Sequence, residues 1–457
     1  MFVNRVDELA ALRQWYEHGR RPAVVWGRRR VGKTALIQHF AADRRAIFHT
    51  AAGRPVAGEL ALLARQAATV APGQLRDLAA RPYTDWDDAL DGLAQLAVDE
   101  PLLLVLDEFP ELVAASPELP GVLRAFLDRA GDRTLLRILL CGSAVRHMEA
   151  LQEQRAPLYG RFDLSLQVHP FRPADAALLL PDLPPEDRAL VYGLVGGIPL
   201  YLTWWDQAAD VTANLRRLIC QPGAPLLTEG QLVLATEVER GEYPSAALHA
   251  IASGRTRYGE IKDALRAEPA RTLERLVELR LVERMVPVTE AGRVTRQAMY
   301  RVADNFLAFY LEIVARFRGE IERGLGESIL PVVVDCLDHF MGPRWEEMFR
   351  AHLRAVAATG ALGEEIVAVG SWWNDKSDVE IDAVVLAGRT RRPVLAGEAK
   401  WARSVDGPRL ARGLRTKAAA VPAAEPERMR YALCARNTVR AAPSGTLVCT
   451  AGDIFGN

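Results

Sequence analysis

A chain of 457 residues is too long for a single hydrophobic core, so several domains are expected. Its 49% apolar and 25% charged residues exclude a disordered or fibrous protein. A formal net charge of −1 excludes a molecule-wide field that would collect nucleic acid, so any such surface is local. The five cysteines (Cys141, Cys220, Cys336, Cys434, Cys449) lack metal-ligand spacing and suit reduced thiols, and the eight histidines contain no H-x-x-x-H pair. No apolar run is long enough to cross a bilayer, and the first residues lack a signal-peptide core. A cytoplasmic protein with no membrane contact is expected.

In chain order, Leu9, Leu12, Trp15 and Tyr16 mark an amphipathic helix within residues 1–20. Pro22–Trp26 then reads as a buried strand and Ala35–Phe40 as a helix. Between them stands Gly27-Arg28-Arg29-Arg30-Val31-Gly32-Lys33-Thr34, the G-x-x-x-x-G-K-T pattern of a phosphate-binding loop. The glycines let backbone N–H groups converge on one anion, and the helix N-terminus adds its partial positive charge. Lys33 is expected on the β- and γ-phosphates of ATP and Thr34 on Mg²⁺.

Leu102–Leu106 is a continuous apolar run, as in a strand buried on both faces, and it ends in Asp107-Glu108. Downstream of a phosphate-binding loop this is the Walker B pattern. Asp107 is the expected Mg²⁺ partner and Glu108 the residue that orients and deprotonates water. A third strand, Leu135–Gly142, ends at Ser143, which is either a sensor of the γ-phosphate or an ordinary turn residue. Arg161, in Pro157-Leu158-Tyr159-Gly160-Arg161, is a candidate arginine finger acting across a homo-oligomer interface, with Arg146 and Arg155 as rivals and a solvated arginine as the bland alternative. Residues 170–235 read as a helical lid containing Gly196-Gly197-Ile198-Pro199, and Gln221–Thr228 reads as a turn or linker.

These five motifs, in this order, resemble the archaeal-type ATPase family, which is similar to AAA+ and STAND ATPases. The resemblance implies a five-stranded parallel core in residues 1–169 under a helical lid.

Residues 236–302 change character. Two short helical stretches, a longer one with Leu273, Leu276, Val277 and Leu281, and two extended arms (Arg284–Val288 and Gln297–Val302) read as a winged helix-turn-helix. Eleven Lys/Arg against seven Asp/Glu between Ile251 and Arg301 permit contact with DNA, but winged helices also serve as packing modules.

In residues 303–457, Pro343 is expected to open a helix carrying Trp345, Met348, Phe349 and Leu353 on one face. Glu346 lies beside that stripe and Glu347 nearly opposite. Glu380–Leu386 and Val394–Lys400 read as a hairpin around a basic turn, bringing Asp382, Glu398 and Lys400 together. Two carboxylates hold a hard divalent cation, Mg²⁺ or Mn²⁺, and a neighbouring lysine stabilises charge on a phosphate. Between Arg389 and Lys417 there are nine Lys/Arg and two Asp/Glu, a surface suited to a polyanion. Arg430–Cys434 and Thr446–Cys449 read as later strands.

Asp, then Glu-x-Lys on the next strand, resembles the PD-(D/E)xK nuclease pattern. With Trp345-Glu346, Gly370-Ser371-Trp372-Trp373 and Gly397-Glu398-Ala399-Lys400-Trp401, it resembles domain of unknown function 234, often fused to archaeal-type ATPases and similar to restriction-endonuclease-like folds. The resemblance implies Asp382, Glu398 and Lys400 as a nuclease triad, with Glu346 as a possible fourth member. The expected fold class is therefore α/β: a P-loop parallel sheet with a helical lid, a winged helix-turn-helix, and a restriction-endonuclease-like domain. The expected function is Mg²⁺-dependent ATP hydrolysis coupled to a nuclease-like domain acting on nucleic acid. The alternative is an ATP-gated regulator whose C-terminal domain is a non-catalytic scaffold.

Overall fold

The computed structural model describes residues 2–70, 76–130, 133–237, 242–292, 295, 297–363 and 365–456. The chain forms two compact units, Met1–Pro170 and Phe171–Asn457.

The first unit runs α1 (Val6–His18), β1 (Ala23–Trp26), α2 (Lys33–Ala41), β2 (Ala46–Thr50), α3 (Val56–Val70), α4 (Trp86–Leu96), β3 (Leu102–Asp107), α5 (Phe109–Ala115), α6 (Leu119–Ala130), β4 (Leu136–Gly142), α7 (Val145–Ala150) and β5 (Leu164–Gln167). Its strands make one parallel sheet in the order β2-β3-β4-β1-β5. Every residue of β1, β3 and β4 is buried, which is why these strands are apolar throughout rather than alternating. Leu104, Leu106, Phe109, Phe126 and Met148 belong to the main core of this unit. Burying each such side chain contributes roughly 1.5–3 kcal/mol. Trp26 pairs with Gly142, and Leu106 with Leu140, so the carboxyl ends of β1, β3 and β4 reach one edge of the sheet together.

The second unit begins with α8 (Pro173–Ala177), α9 (Pro185–Val195), α10 (Pro199–Thr203), α11 (Val211–Leu218) and α12 (Pro225–Glu237). The linker expected over Gln221–Thr228 is shorter. Its turn closes with the Ala224 N–H on the Gln221 carbonyl at 3.0 Å, and Pro225 starts α12, where a missing N–H goes unneeded. Next come α13 (Glu242–Ala252), α14 (Tyr258–Leu265), α15 (Ala270–Glu278) and an antiparallel pair, β6 (Val282–Met285) with β7 (Met299–Val302). This is the helix, helix, helix, hairpin order of a wing. Within the second expected arm and its approach, Arg293, Val294 and Arg296 lie outside the described residues.

Asp304 caps α16 (Asn305–Glu312) by accepting from the Leu307 N–H at 2.8 Å. Phe306–Leu311 are all buried, so α16 is apolar on every side. After the single turn α17 (Arg318–Glu320), α18 runs from Gly326 to Ala358, 33 residues. Pro343 therefore does not open a helix; it and Pro331 lie inside one. An interior proline costs about 3 kcal/mol. The buried stripe Leu330, Val333, Leu337, Phe340, Met341, Trp345, Met348, Phe349 and Leu353 passes through both prolines, and that packing outweighs the lost bonds.

A mixed sheet follows, built from β8 (Ile366–Trp373), β9 (Glu380–Ala387), β10 (Arg392–Lys400), β12 (Arg430–Ala435) and β14 (Thr446–Cys449) in the order β14-β12-β10-β9-β8. The β8, β9, β10 side is antiparallel, and β10, β12, β14 are parallel. The short strands β11 (Ser404–Asp406) and β13 (Thr438–Arg440) pair separately; α19 (Gly407–Ala418) and α20 (Ala451–Phe455) complete the unit. A Cβ at Gly397 would lie 2.7 Å from Phe349 Cε1, so glycine is what lets α18 sit close over β10.

The stretches expected as lid, winged helix and C-terminal domain fall within this one unit. Arg188 of α9 donates to the Phe455 carbonyl at 2.8 Å, so α20 returns to the first helices. The wing is strapped to the sheet: Trp373 Nε1 donates to the Gln297 carbonyl (3.2 Å) and Arg391 to that of Val288 (3.0 Å). No helix among the described residues is long and apolar enough to cross a membrane.

Candidate nucleotide site and a second acidic site

The loop between β1 and α2 is shaped by left-handed backbone at Arg30 (φ 67°) and Gly32 (φ 92°). At Gly27 a Cβ would stand 2.3 Å from the Val168 carbonyl oxygen. Lys33 is 6% exposed and donates to the carbonyls of Gly27 and Arg28, both at 2.9 Å. Burial lowers its ammonium pKa, against the opposing pull of Cys141, Glu108 and Asp107. Arg28 is half-buried, Arg29 and Arg30 are exposed, and Val31 is buried. The Val31 carbonyl accepts from Arg5 at 2.8 Å. Arg5 is buried, left-handed (φ 66°) and paired with Glu8 at 2.9 Å, so the lead-in to α1 braces the loop. No local sequence pattern signals that role.

Thr34 Oγ1 donates to Asp107 Oδ2 at 3.2 Å. Glu108, left-handed at φ 51°, places its carboxylate on Ser143: the hydroxyl lies 3.1 and 3.0 Å from the two oxygens. Walker A, Walker B and the end of β4 are thus linked by two side-chain hydrogen bonds. A hydroxyl and a carboxylate in contact, beside a glycine-bent loop and a buried lysine, form a donor set suited to Mg²⁺ and a nucleotide's phosphates. Arg161 is elsewhere: its guanidinium pairs with Asp128 at 3.1 Å on the protein's surface.

In the second unit, Gly397 pairs with Ala383 across β9 and β10, which brings Asp382 and Glu398 side by side at the end of the ladder. Lys400 Nζ lies 2.9 Å from Glu398 Oε1 and 3.6 Å from Asp382 Oδ2. The Ala399 N–H donates to the same Asp382 oxygen at 2.8 Å. The two carboxylates therefore converge on one cationic group, the Lys400 ammonium, where a hard divalent ion would also be served. Burial and the Glu398 charge raise the Asp382 pKa, while Lys400 opposes the rise. The Lys400 pKa is raised: burial pulls it down, but Asp382 and Glu398 more than compensate.

Glu346 approaches from α18. Its carboxyl is pushed up to about 7, first by burial and then by Asp382, and it stands 4.0 Å from Arg350. Among the described residues no three of His, Cys, Asp and Glu are grouped to hold a metal. The convergent pair is Asp382 and Glu398, with Glu346 at its margin.

Three residues here were not read from the sequence. Lys417 of α19 reaches both Glu398 oxygens at 2.9 Å. Arg350 donates to the Asp382 carbonyl at 2.6 Å and to Glu347 at 2.9 Å. Arg301 of β7 reaches Glu347 at 3.1 Å. The Arg389–Lys417 charge excess was the only available signal for Lys417; periodicity alone gave none for the two arginines.

Residues 2–204 match a family of ATPase domains predominantly from Archaea. Residues 310–411 match domain of unknown function 234, described from archaeal and bacterial proteins of unknown function. The uncharacterized protein MJECL04 of Methanocaldococcus jannaschii is 27% identical over 412 residues, 88% of each chain. The uncharacterized ATP-binding protein MJ0423 of the same organism is 48% identical over 46 residues, 10% of this chain and 78% of that one. Among solved structures, the Walker-type ATPase PABY2304 of Pyrococcus abyssi is similar in fold, with a TM-score of 0.50 and 20% identity over 68% of this chain and 96% of that one.

Proposed function

We propose that this chain, which joins an archaeal-type ATPase domain to a DUF234 domain, is an ATP-hydrolysing switch whose second unit acts on nucleic acid through a nuclease-like site. The Thr34–Asp107 and Glu108–Ser143 contacts at neighbouring strand ends support the first half. ATP phosphates lie against the Gly27–Gly32 backbone and Lys33. Thr34 and Asp107 would hold the Mg²⁺ that accompanies the nucleotide, which would supply neutralisation of phosphate charge. Glu108 takes the proton of the attacking water, and Ser143 holds its carboxylate in place for that task. Arg161 acts in trans only by exchanging Asp128 for a phosphate on a neighbouring copy.

The observation that carries the second half is the convergence of Asp382, Glu398 and Lys400. Asp382 and Glu398 are the residues that would hold a divalent cation, and Lys400 would balance charge on a phosphodiester. The test is cleavage of plasmid, linear and single-stranded DNA with Mg²⁺ or Mn²⁺, with and without ATP, beside Asp382→Ala. Metal-dependent cutting lost in the variant, with ATP turnover intact, is the expected result. Equal cutting by the variant removes the assignment.

One observation favours the second reading, an ATP-gated regulator with a non-catalytic C-terminal fold. Glu398 is already neutralised by two ammonium groups, as in a structural ion pair. Absence of cutting under every condition, with ATP hydrolysis intact, supports that reading.

A further inference from the structure

The second lysine on Glu398 has no place in the Asp, Glu-x-Lys pattern. Glu398 is 4% exposed, and its two oxygens carry three short contacts, two from Lys417 and one from Lys400. An ionised carboxylate offers about four lone-pair sites, so little of Glu398 is left for a metal. The two ammonium groups are not equivalent. Lys400 belongs to β10 itself and bridges Asp382 and Glu398 from within the ladder. Lys417 arrives from the last turn of α19, and its side chain is 36% exposed. The Lys400 side chain is more exposed still, at 46%, so what separates the two is how they are held: Lys417 pairs with Glu398, whereas Lys400 is held by Glu398 and, at 3.6 Å, by Asp382.

The rest of α19 indicates where Lys417 goes. Ala411, Leu414 and Ala418 are buried against the unit, while Arg409 and Arg412 are exposed on the same helix. At 100° per residue Arg409 lies about 80° around α19 from Lys417 and Arg412 about 140°, so a polyanion that reaches Lys417 along this helix passes Arg409.

Resting on the nuclease-like reading of this site, we propose that Lys417 is an ammonium latch. It fills the Glu398 carboxylate until a divalent cation and a phosphodiester arrive together, and then passes its hydrogen bonds from Glu398 to a phosphate oxygen. The exchange keeps opposite charges paired: the cation replaces the ammonium at the carboxylate, and the phosphate receives the ammonium, with the site gaining one net positive charge beside the polyanion. The site therefore loads its ion poorly without substrate, which restricts metal-dependent chemistry to nucleic acid already bound along α19.

The test is Mn²⁺ binding to the full-length, EDTA-treated chain by calorimetry, with and without a short single-stranded oligonucleotide. Wild type is compared with Lys417→Met, Lys417→Gln, Lys417→Arg and Glu398→Gln. ATP turnover and a thermal melt report folding of each variant, and the Met and Gln variants stand in for one another. Removing a like charge in contact with the cation is expected to tighten Mn²⁺ binding about tenfold or more in Lys417→Met and Lys417→Gln. Lys417→Arg stays near wild type, and Glu398→Gln does not bind. The oligonucleotide tightens Mn²⁺ binding in wild type and has a much smaller effect in the neutral variants. Binding gained from none in the neutral variants also supports the latch. Mn²⁺ binding by wild type that is unchanged or weakened in the neutral variants, or tightened equally by Lys417→Arg, overturns the latch and leaves the metal site standing. Failure of wild type and both neutral variants to bind Mn²⁺ overturns the metal-site reading and the latch with it.

Discussion

Glu346 and Glu347 are adjacent in α18, yet neutralising them should move stability in opposite directions. Glu347 accepts from Arg301 at 3.1 Å, Arg350 at 2.9 Å and Arg354 at 2.7 Å. Burial alone would raise its carboxyl, but the three guanidinium groups bring it down to about 2. Glu346 is pushed up to about 7 by burial and by Asp382. From an ordinary value of 4.5, each change is about 2.5 pH units, or roughly 3 kcal/mol before screening. About a third of each side chain is exposed (32% and 33%), so about 1–2 kcal/mol is the better expectation.

The depressed Glu347 stabilises the fold above pH 4.5, and that stability is lost as pH falls toward 2. The raised Glu346 exacts no penalty below 4.5 and a growing one as pH rises through 7. Hence Glu347→Gln destabilises at both pH 5 and pH 8. Glu346→Gln is nearly neutral at pH 5 and stabilises at pH 8. Urea unfolding in EDTA, followed by tryptophan fluorescence, measures this, because six of the nine tryptophans lie in the second unit. A destabilising Glu346→Gln at pH 8, or two substitutions of equal sign there, would refute the reasoning.

Within the nucleotide site, Lys33→Ala is expected to abolish binding of a fluorescent ATP analogue. Glu108→Gln should keep binding and lower turnover about 100-fold, as loss of a general base does. Ser143→Ala releases the Glu108 carboxylate and should lower kcat about tenfold at unchanged KM, measured by phosphate release. Gly397→Ala forces a Cβ against Phe349 and is expected to lower stability by about 1–3 kcal/mol, read as a lower Tm of the second unit.

The nucleotide site was largely legible because a parallel sheet fixes where strand ends go. Apolar runs identified β1, β3 and β4, and each leads into residues of the candidate site: Gly27 after β1, Asp107 and Glu108 at the end of β3, and Ser143 after β4. What sequence did not supply is how those residues pair. The Glu108–Ser143 contact depends on a left-handed backbone at a glutamate, which no local preference signals. Arg5 escaped for the same reason, since its role depends on a carbonyl twenty-six residues later.

The second site was legible only where one hairpin supplies it. Alternation put Asp382 and Glu398 on neighbouring strands, and the antiparallel register completes their approach. The misplaced start of α18 shows the limit of local rules. Proline at 343 carries a local stop signal, but a stripe of buried side chains on both sides of it decides the matter. The partners of the acids come from farther away: Lys417 from α19 to Glu398, and Arg301 from the wing to Glu347. Arg350 joins these contacts, touching Glu347 through one nitrogen and the Asp382 carbonyl through another. A line of contacts therefore runs from Arg301 of β7 through Glu347 and Arg350 to the Asp382 carbonyl.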